Sequence, residues 1–162
     1  MSFNVLEFVT GASYPKDKAL IYLDGESASR RSQLLKEPES KARDKEIDAL
    51  DKKIAETAIT VELQGFPEHV RRTILRQAEG EAEEKGLTGN DKSEYGLYAL
   101  LSATVVSVSS PSGEKDTTEM TPERLFDIYK VAPLGGMDEF FKKANALAMD
   151  SLEFEGTVGQ DF

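Results

Sequence analysis

The sequence predicts an α+β fold: a predominantly helical single domain with a small antiparallel sheet and a helical arm. Three observations lead to this prediction. Short runs rich in β-branched and aromatic residues occur near residues 3–9 and 59–63, as is typical of strands. Apolar residues at helical spacing recur through the second half of the chain. Residues 26–56, in contrast, contain no glycine and carry closely spaced opposite charges, which is typical of solvated helices.

The chain length sets the expected domain organisation. A sequence of 162 residues is long enough for one domain with a substantial core. We assign residues 1–150 to this domain, with the charged arm at about residues 26–56. Residues 151–162 contain two glycines and several acids and are expected to form an extended acidic tail.

The first two apolar runs predict an early hairpin. Residues 3–9 (Phe-Asn-Val-Leu-Glu-Phe-Val) have the composition of a strand, although their alternation is imperfect. Residues 11–15 contain glycine and proline and favour a turn. Residues 19–23 (Ala-Leu-Ile-Tyr-Leu) supply a second short apolar run. We therefore expect the two runs to pair as neighbouring strands.

The charged arm is predicted to be two helices that form a narrow antiparallel hairpin. Ile47, Leu50 and Ile54 give the second helix an apolar stripe. Pro38 fits the first turn of that helix, where its missing N–H is not needed. A single kinked helix over residues 26–56 is the alternative.

The middle of the chain predicts a strand, two helices and a loop. Apolar residues alternate in the run 59–63, and a helix follows Pro67. The charged stretch 79–90 ends in glycines and is expected to contain a loop. Residues 95–101 are typical of a largely buried helix, and the β-branched run 103–108 either extends it or forms a further strand.

Turn and capping signals organise the rest. Residues 109–113 (Ser-Ser-Pro-Ser-Gly) predict a turn. The Thr-Pro-Glu sequence at 121–123 predicts a helix start with a threonine cap and a proline in the first turn. Residues 133–136 should break this helix, and a last helix is expected over residues 137–150.

Composition excludes several classes of function. The net charge is −10 and the pI is about 4.7, which argues against nucleic-acid binding. The absence of cysteine excludes disulfides, a thiolate nucleophile and a cysteine zinc site. The longest apolar stretches, such as residues 97–106, are shorter than the roughly 18 residues of a membrane span, and no secretory signal is visible. We therefore expect an intracellular protein that binds neither membranes nor nucleic acid.

Candidate catalytic groups are few. His69, the single histidine, could be a general base, but no G-x-S-x-G sequence accompanies it, and a surface histidine is the simpler interpretation. Acids cluster at residues 79–84 without apolar neighbours that would form a pocket, so a solvated face is expected. The glycines at 86–89 and 135–136 match no phosphate-binding pattern. The sequence predicts no cofactor and no metal.

Two groups of residues are candidates for partner binding. Arg71, Arg72 and Arg76 form a basic cluster that could dock an acidic partner or nucleic acid, or could balance the acids at 79–84; the net negative charge argues against nucleic acid. The second group is an apolar stripe on the last helix that continues into the tail, and it either packs in the core or binds a partner. Its members are Phe140, Phe141, Ala144, Leu147 and Ala148 in the helix and Leu152, Phe154 and Phe162 in the tail.

The order of these segments resembles a known family. Tyr22-Leu23-Asp24-Gly25-Glu26 leads into the charged arm, and the strand-like run 59–63 follows. A Thr-Pro-Glu-Arg helix start and a final helix, Ala-Asn-Ala-Leu-Ala-Met-Asp-Ser-Leu over 144–152, precede an acidic tail that contains phenylalanine. This layout resembles the tail assembly chaperones of long-tailed bacteriophages, in particular those of actinobacteriophages.

The resemblance implies a non-catalytic assembly factor in the cytoplasm of the infected host. Proteins of this family coat the long helical tape measure protein, keep it soluble, and are displaced as tail tube protein polymerises. They are not expected in the mature virion, and many are also made as a longer, frameshifted product, so this chain would resemble the short form. Self-association into a homo-oligomer is compatible with the acidic surface and apolar tail.

Two alternatives belong to other classes. A structural virion component, such as a head–tail connector or a tail terminator protein, would form a stable ring and remain in the particle. A small hydrolase would use His69 or the carboxylates, although no pocket chemistry converges on them.

Overall fold

The computed structural model describes residue 2 and residues 4–149. In this part of the chain, seven helices accompany a four-stranded antiparallel sheet, so the predicted helix-rich α+β class is confirmed. The helices are α1 (Val5–Val9), α2 (Gly25–Leu35), α3 (Lys41–Thr57), α4 (Glu68–Glu84), α5 (Gly89–Ala103), α6 (Pro122–Val131) and α7 (Asp138–Ala148). The strands are β1 (Lys16–Ile21), β2 (Ile59–Gln64), β3 (Val105–Ser109) and β4 (Lys115–Asp116).

The strands follow their chain order across the sheet, β1-β2-β3-β4. The β1–β2 ladder ends with Ile21 opposite Ile59, and a bulge between Glu62 and Leu63 interrupts the β2–β3 register. The strand predicted at 59–63 is confirmed, and the ambiguous run 103–108 contains the last residue of α5 and most of β3.

One face of the sheet carries the core. Ala19, Ile21, Val61 and Leu63 point to this face and are buried, since alternate residues of a strand share one side. Helix α7 packs on β1 and β2, while α5 contacts both α6 and α7. The remaining buried members of the main core are Tyr98, Leu101, Met120, Leu125, Met137, Phe140 and Ala144.

Helix α6 begins as its sequence predicts. The Thr121 hydroxyl oxygen accepts a hydrogen bond from the Arg124 backbone N–H at 3.2 Å, and Pro122 occupies the first helical position. Residues 132–137, which include the predicted break at 133–136, then separate α6 from α7. This connection positions the aromatic residues of α6 beside those of α7.

The charged arm is a helical hairpin. Helices α2 and α3 are separated by residues 36–40 and have their main contacts with each other, which excludes the single kinked helix. Leu34 and Ile47 are buried. Ion pairs join the helices from Arg30 to Glu46 and from Arg31 to Asp51. Exposed pairs of this kind contribute about 0–1 kcal/mol each, so the two apolar residues are the more important contribution to hairpin stability.

The base of the arm fits closely against the turn before α7. The Tyr22 N–H donates to the Gly136 carbonyl oxygen at 3.1 Å. A Cβ atom on Gly136 would lie 2.5 Å from the Tyr22 carbonyl oxygen, and one on Gly25 would lie 2.7 Å from Pro133 Cβ. Glycine is therefore required at these positions by the close approach of the two segments.

The predicted early hairpin is wrong. Residues 5–9 form helix α1, in which the Asn4 side-chain oxygen accepts from the Leu6 and Glu7 backbone N–H groups. Strand β1 pairs instead with β2, beyond the arm. A strand needs a partner for its backbone groups, whereas a capped helical turn satisfies several of them locally.

The loop predicted over residues 79–90 is shorter than expected. Helix α4 continues to Glu84, and α5 begins at Gly89. Glutamate and alanine favour the helix, and the single Gly80 does not interrupt it. Gly86 and Gly89 have φ angles of 72° and 57°, so the turn itself does depend on glycine.

Candidate functional site

An aromatic cluster joins α5, α6 and α7. The Tyr98 ring lies 5.8 Å from Phe126, 6.2 Å from Tyr129 and 6.3 Å from Phe141, measured between ring centroids. Phe126 and Tyr129 are stacked at 6.2 Å, and Tyr129 meets Phe141 edge to face at 6.0 Å. Aromatic pairs at these separations attract one another beyond simple burial. The cluster therefore holds the rings of α6 in fixed positions.

Part of this cluster is open to solvent. Phe126 is 37% exposed and Tyr129 49% exposed, whereas Tyr98 beneath them is buried. We call Phe126 and Tyr129 the aromatic surface. The Lys130 ammonium lies 4.7 Å from the Phe126 ring centroid, a distance suited to a cation–π contact. The aromatic surface thus carries a cation of its own beside the exposed Phe126 ring.

A groove borders the aromatic surface between α5 and α6. Its volume is about 280 Å³, and we call it the α5–α6 groove. Its apolar lining comes from Leu87, Tyr95, Tyr98, Pro122 and Phe126, and its charged lining from Lys85, Asp91, Glu94 and Glu123. Three acids against one lysine give this groove a negative rim.

Tyr95 connects three helices at the edge of the α5–α6 groove. Its hydroxyl lies 2.7 Å from a Glu81 carboxylate oxygen and 2.9 Å from one of Glu123. Burial, followed by these two carboxylates, raises the pKa of Tyr95 well above its ordinary value. The phenol therefore stays protonated and can donate to only one carboxylate at a time. This geometry suits positioning of α4, α5 and α6 and does not suit a general base.

Glu123 remains ionised beside that phenol. Its carboxylate accepts the Glu123 backbone N–H, which is the main cause that lowers its pKa, and bonds from Tyr95 and Lys85 add to the effect. Lys85 Nζ lies 3.2 Å from Glu123 Oε1. Glu123 therefore contributes a negative charge to the rim of the α5–α6 groove near neutral pH.

A second groove lies between α4 and α5. Its volume is about 390 Å³, and we call it the α4–α5 groove. Leu75, Leu97 and Met149 are among its apolar lining, and Arg71 and Lys92 provide its cations. Arg72 and Arg76, the other two arginines of the predicted basic cluster, lie on α4 and are exposed. Arg72 and Arg76 are thus on the surface next to this groove, and Arg71 lines it.

The acids at 79–84 do not neutralise the arginine cluster. Glu83 and Glu79 instead pair with Lys92 at 2.9 and 3.6 Å, and Glu81 accepts from Tyr95. Within the described residues, Arg72 and Arg76 form no ion pair.

The predicted apolar stripe of α7 divides into different environments. Phe140 is fully buried in the core, Phe141 is half-buried in the aromatic cluster, and Leu147 is half-buried against the core. Phe141 therefore lies just behind the aromatic surface. Leu152, Phe154 and Phe162 lie outside the described residues, so their partner-binding role stays a prediction.

The candidate catalytic groups do not converge. His69 is exposed at the start of α4. Among residues 2 and 4–149, no three acidic or histidine side chains are arranged to hold a metal ion. No helix in this part of the chain has the length and apolar character to cross a membrane.

Sequence reasoning missed the aromatic surface. It predicted a buried helix over residues 95–101, which contains Tyr98, and a helix start at residues 121–123, but it did not bring Phe126 and Tyr129 together with Tyr98. The available signal was the three-residue spacing of Phe126 with Tyr129 and of Tyr95 with Tyr98, which puts each pair on one helix face.

Comparison of the chain with protein-family models, with curated proteins and with solved structures gives no match.

Proposed function

We propose that this protein is a phage tail assembly chaperone that binds the tape measure protein, keeps it soluble and assists tail tube polymerisation without catalysis. The resemblance of the sequence layout to this family suggests the partner. The observation that carries a binding function is the aromatic surface beside the acidic α5–α6 groove. Exposed aromatic side chains on a rigid support are typical of protein-binding sites.

The groove chemistry favours an amphipathic helix as the bound segment. Such a helix can place its apolar side chains on Phe126, Tyr129 and the groove floor. Basic side chains flanking the apolar stripe would then face Asp91, Glu94 and Glu123. A long helical client with repeated stripes of this kind could bind many copies of the chaperone.

The charge of the chain supports a solubilising role. A net charge of −10 per copy would make a coated client strongly acidic, and like charges on neighbouring complexes repel. The exposed aromatic area is small, which suits transient binding more than a permanent interface. Transient binding is what displacement by tail tube protein requires. Copies of the chaperone could also associate with each other along the client.

The test is co-expression of the full chain with the tape measure protein of the candidate phage, followed by pull-down and a solubility assay. We expect the tape measure protein to become soluble and to co-purify. The variant Phe126→Ala/Tyr129→Ala should reduce both readouts several-fold. The matched control is Leu20→Ala/Leu35→Ala, because these two residues are similarly exposed apolar side chains outside the aromatic cluster.

Two outcomes would contradict the proposal. Equal binding by both double variants would remove the aromatic surface from the mechanism. No binding at all, together with a defined ring of this protein in purified virions, would favour the structural virion component.

A further inference from the structure

The α4–α5 groove has an apolar floor that the described residues leave open. Leu75 of α4 and Leu97 of α5 both line it, and they are 39% and 38% exposed. Gly96 also lines the groove and lies 3.8 Å from a Leu75 methyl group, measured from its ideal Cβ position. Because this glycine carries no side chain, the floor between the two helices is accessible to an apolar group.

The arginines next to this floor lack strong acceptors, whereas Lys92, the other cation of the lining, pairs with Glu79 and Glu83. Arg71 Nε is buried and has no hydrogen-bond partner in the described part of the chain. The guanidinium reaches only Glu68, at the long distance of 3.9 Å. Arg72 is a neighbour of Leu75 on the helix surface, because residues three apart lie near one another there, and Arg76 lies one turn beyond Arg72 on the same strip. An occupant with acidic groups would supply the missing acceptors.

The chain itself contains a segment with matching chemistry. Met149, the last described residue, already lines the α4–α5 groove, so residues 150–162 begin at its edge. This segment has four acidic and no basic residues. Leu152 and Phe154 alternate with Glu153 and Glu155, so an extended backbone would put the apolar pair on one side and the acids on the other.

We propose that residues 150–155 dock in the α4–α5 groove of the same molecule. Leu152 and Phe154 cover Leu75 and Leu97, and the long, exposed side chains of Arg72 and Arg76 reach the carboxylates on the outer side of the segment. At about 3.3 Å per residue, Phe154 is within about 17 Å of Met149, so the reach is sufficient. The acidic partner expected for the arginine cluster is then part of this chain. This proposal does not depend on the identity of any client.

The test uses the full chain. Because this chain has no native cysteine, a single introduced cysteine can be labelled specifically. A nitroxide spin label is attached at Thr157→Cys, a position that leaves both apolar anchors and all four acids intact. Amide NMR signals near a spin label lose intensity. We expect strong losses for residues 71–79 and 92–97 and little loss for the arm helices α2 and α3.

An anchor variant separates docking from the random motion of a tethered segment. Leu152→Ser/Phe154→Ser in the labelled chain should reduce the intensity losses in the groove several-fold. Arg72→Gln/Arg76→Gln changes only the groove side and should also weaken them. The matched charge control, Lys36→Gln/Lys45→Gln on the arm, should leave them unchanged. Unaltered core signals in each variant would show that its fold is retained.

Three results would overturn the proposal. The first is an identical pattern of losses in the parent and the anchor variant. The second is the absence of any loss at residues 71–79 and 92–97. The third would come from a mixture of two samples. One is isotope-labelled chain that lacks the nitroxide, and the other is nitroxide-labelled chain at natural isotope abundance. Losses of equal size in that mixture would assign the segment to a second copy.

Discussion

The burial of Phe140 leads to a quantitative prediction about stability. Its side chain is fully buried beneath α7, and its ring meets Phe141 edge to face at 5.6 Å. Phe140→Ala removes the ring and leaves a cavity that the surrounding core can fill only in part. Buried Phe→Ala substitutions cost about 3–5 kcal/mol in the free energy of unfolding.

This loss is large compared with the whole stability of such a domain, about 5–15 kcal/mol. For a chain of this length, each kcal/mol corresponds to about 2–4 °C in Tm, so a decrease of roughly 10 °C is expected. Chemical denaturation followed by circular dichroism measures the free energy, and thermal melting measures Tm. The denaturant slope should stay constant, since the substitution changes packing and leaves the exposed surface of the unfolded chain nearly unchanged.

The matched control is Phe126→Ala in the aromatic surface. Because this ring is 37% exposed and lies at the edge of its cluster, its removal should cost only about 1 kcal/mol. Client binding should show the opposite order. For each kcal/mol of stability lost, Phe126→Ala should reduce binding more than Phe140→Ala does. If Phe140→Ala were no more destabilising than Phe126→Ala, the assignment of Phe140 to the core would be refuted.

Three further predictions concern glycine, capping and charge. Gly136→Ala should lower the unfolding free energy by about 1–3 kcal/mol through its clash with the Tyr22 carbonyl, whereas Gly80→Ala, with open space around it, should raise it by about 0.5–1 kcal/mol. Chemical denaturation of both variants measures the change in unfolding free energy. Equal effects would contradict the close approach of Gly136 to the Tyr22 carbonyl. Thr121→Ala should cost about 1 kcal/mol, and Thr88→Ala close to nothing, because only the first threonine makes a capping bond. A cost at Thr88 equal to that at Thr121 in the same assay would refute the assignment. Carbon-detected NMR should find the pKa of Glu62 below its ordinary value of 4.5, because a lysine and a serine donate to its carboxylate. Its contribution to stability is then present above pH 4.5 and lost as the pH falls through the lower folded value, and a pKa of 4.5 or above would contradict this.

The sequence predicted those elements whose signals are local. The Thr-Pro-Glu start of α6, the two helices of the arm and the alternation in β2 each depend on neighbouring residues, and the structure agrees with all three. The pairing of β1 was missed because its partner follows the whole arm. Strand composition at residues 5–9 was misleading, since β propensity reflects the neighbours a strand has in its sheet.

The candidate site was harder to predict for a similar reason. Phe126 and Tyr98 belong to different helices, and their meeting depends on how α6 folds back onto α5 after β3 and β4. Helical periodicity identifies a ring as apolar, but it does not say whether a neighbouring helix covers that ring. The arginine cluster was visible in sequence, whereas its position beside an apolar groove was not.

The placement of the arm has a consequence for folding order and hydrogen exchange. Because β1 and β2 pair from Ile21 and Ile59 outward, residues 22–58 are in effect the loop of a β-hairpin. Closing a long flexible loop is entropically unfavourable, but a preformed α2–α3 hairpin brings the strand ends together and shortens the effective loop. Since the arm contacts mainly itself, its amides can exchange through a local opening that leaves β2 protected. The arm should therefore form early and still be among the first parts to open in the folded protein.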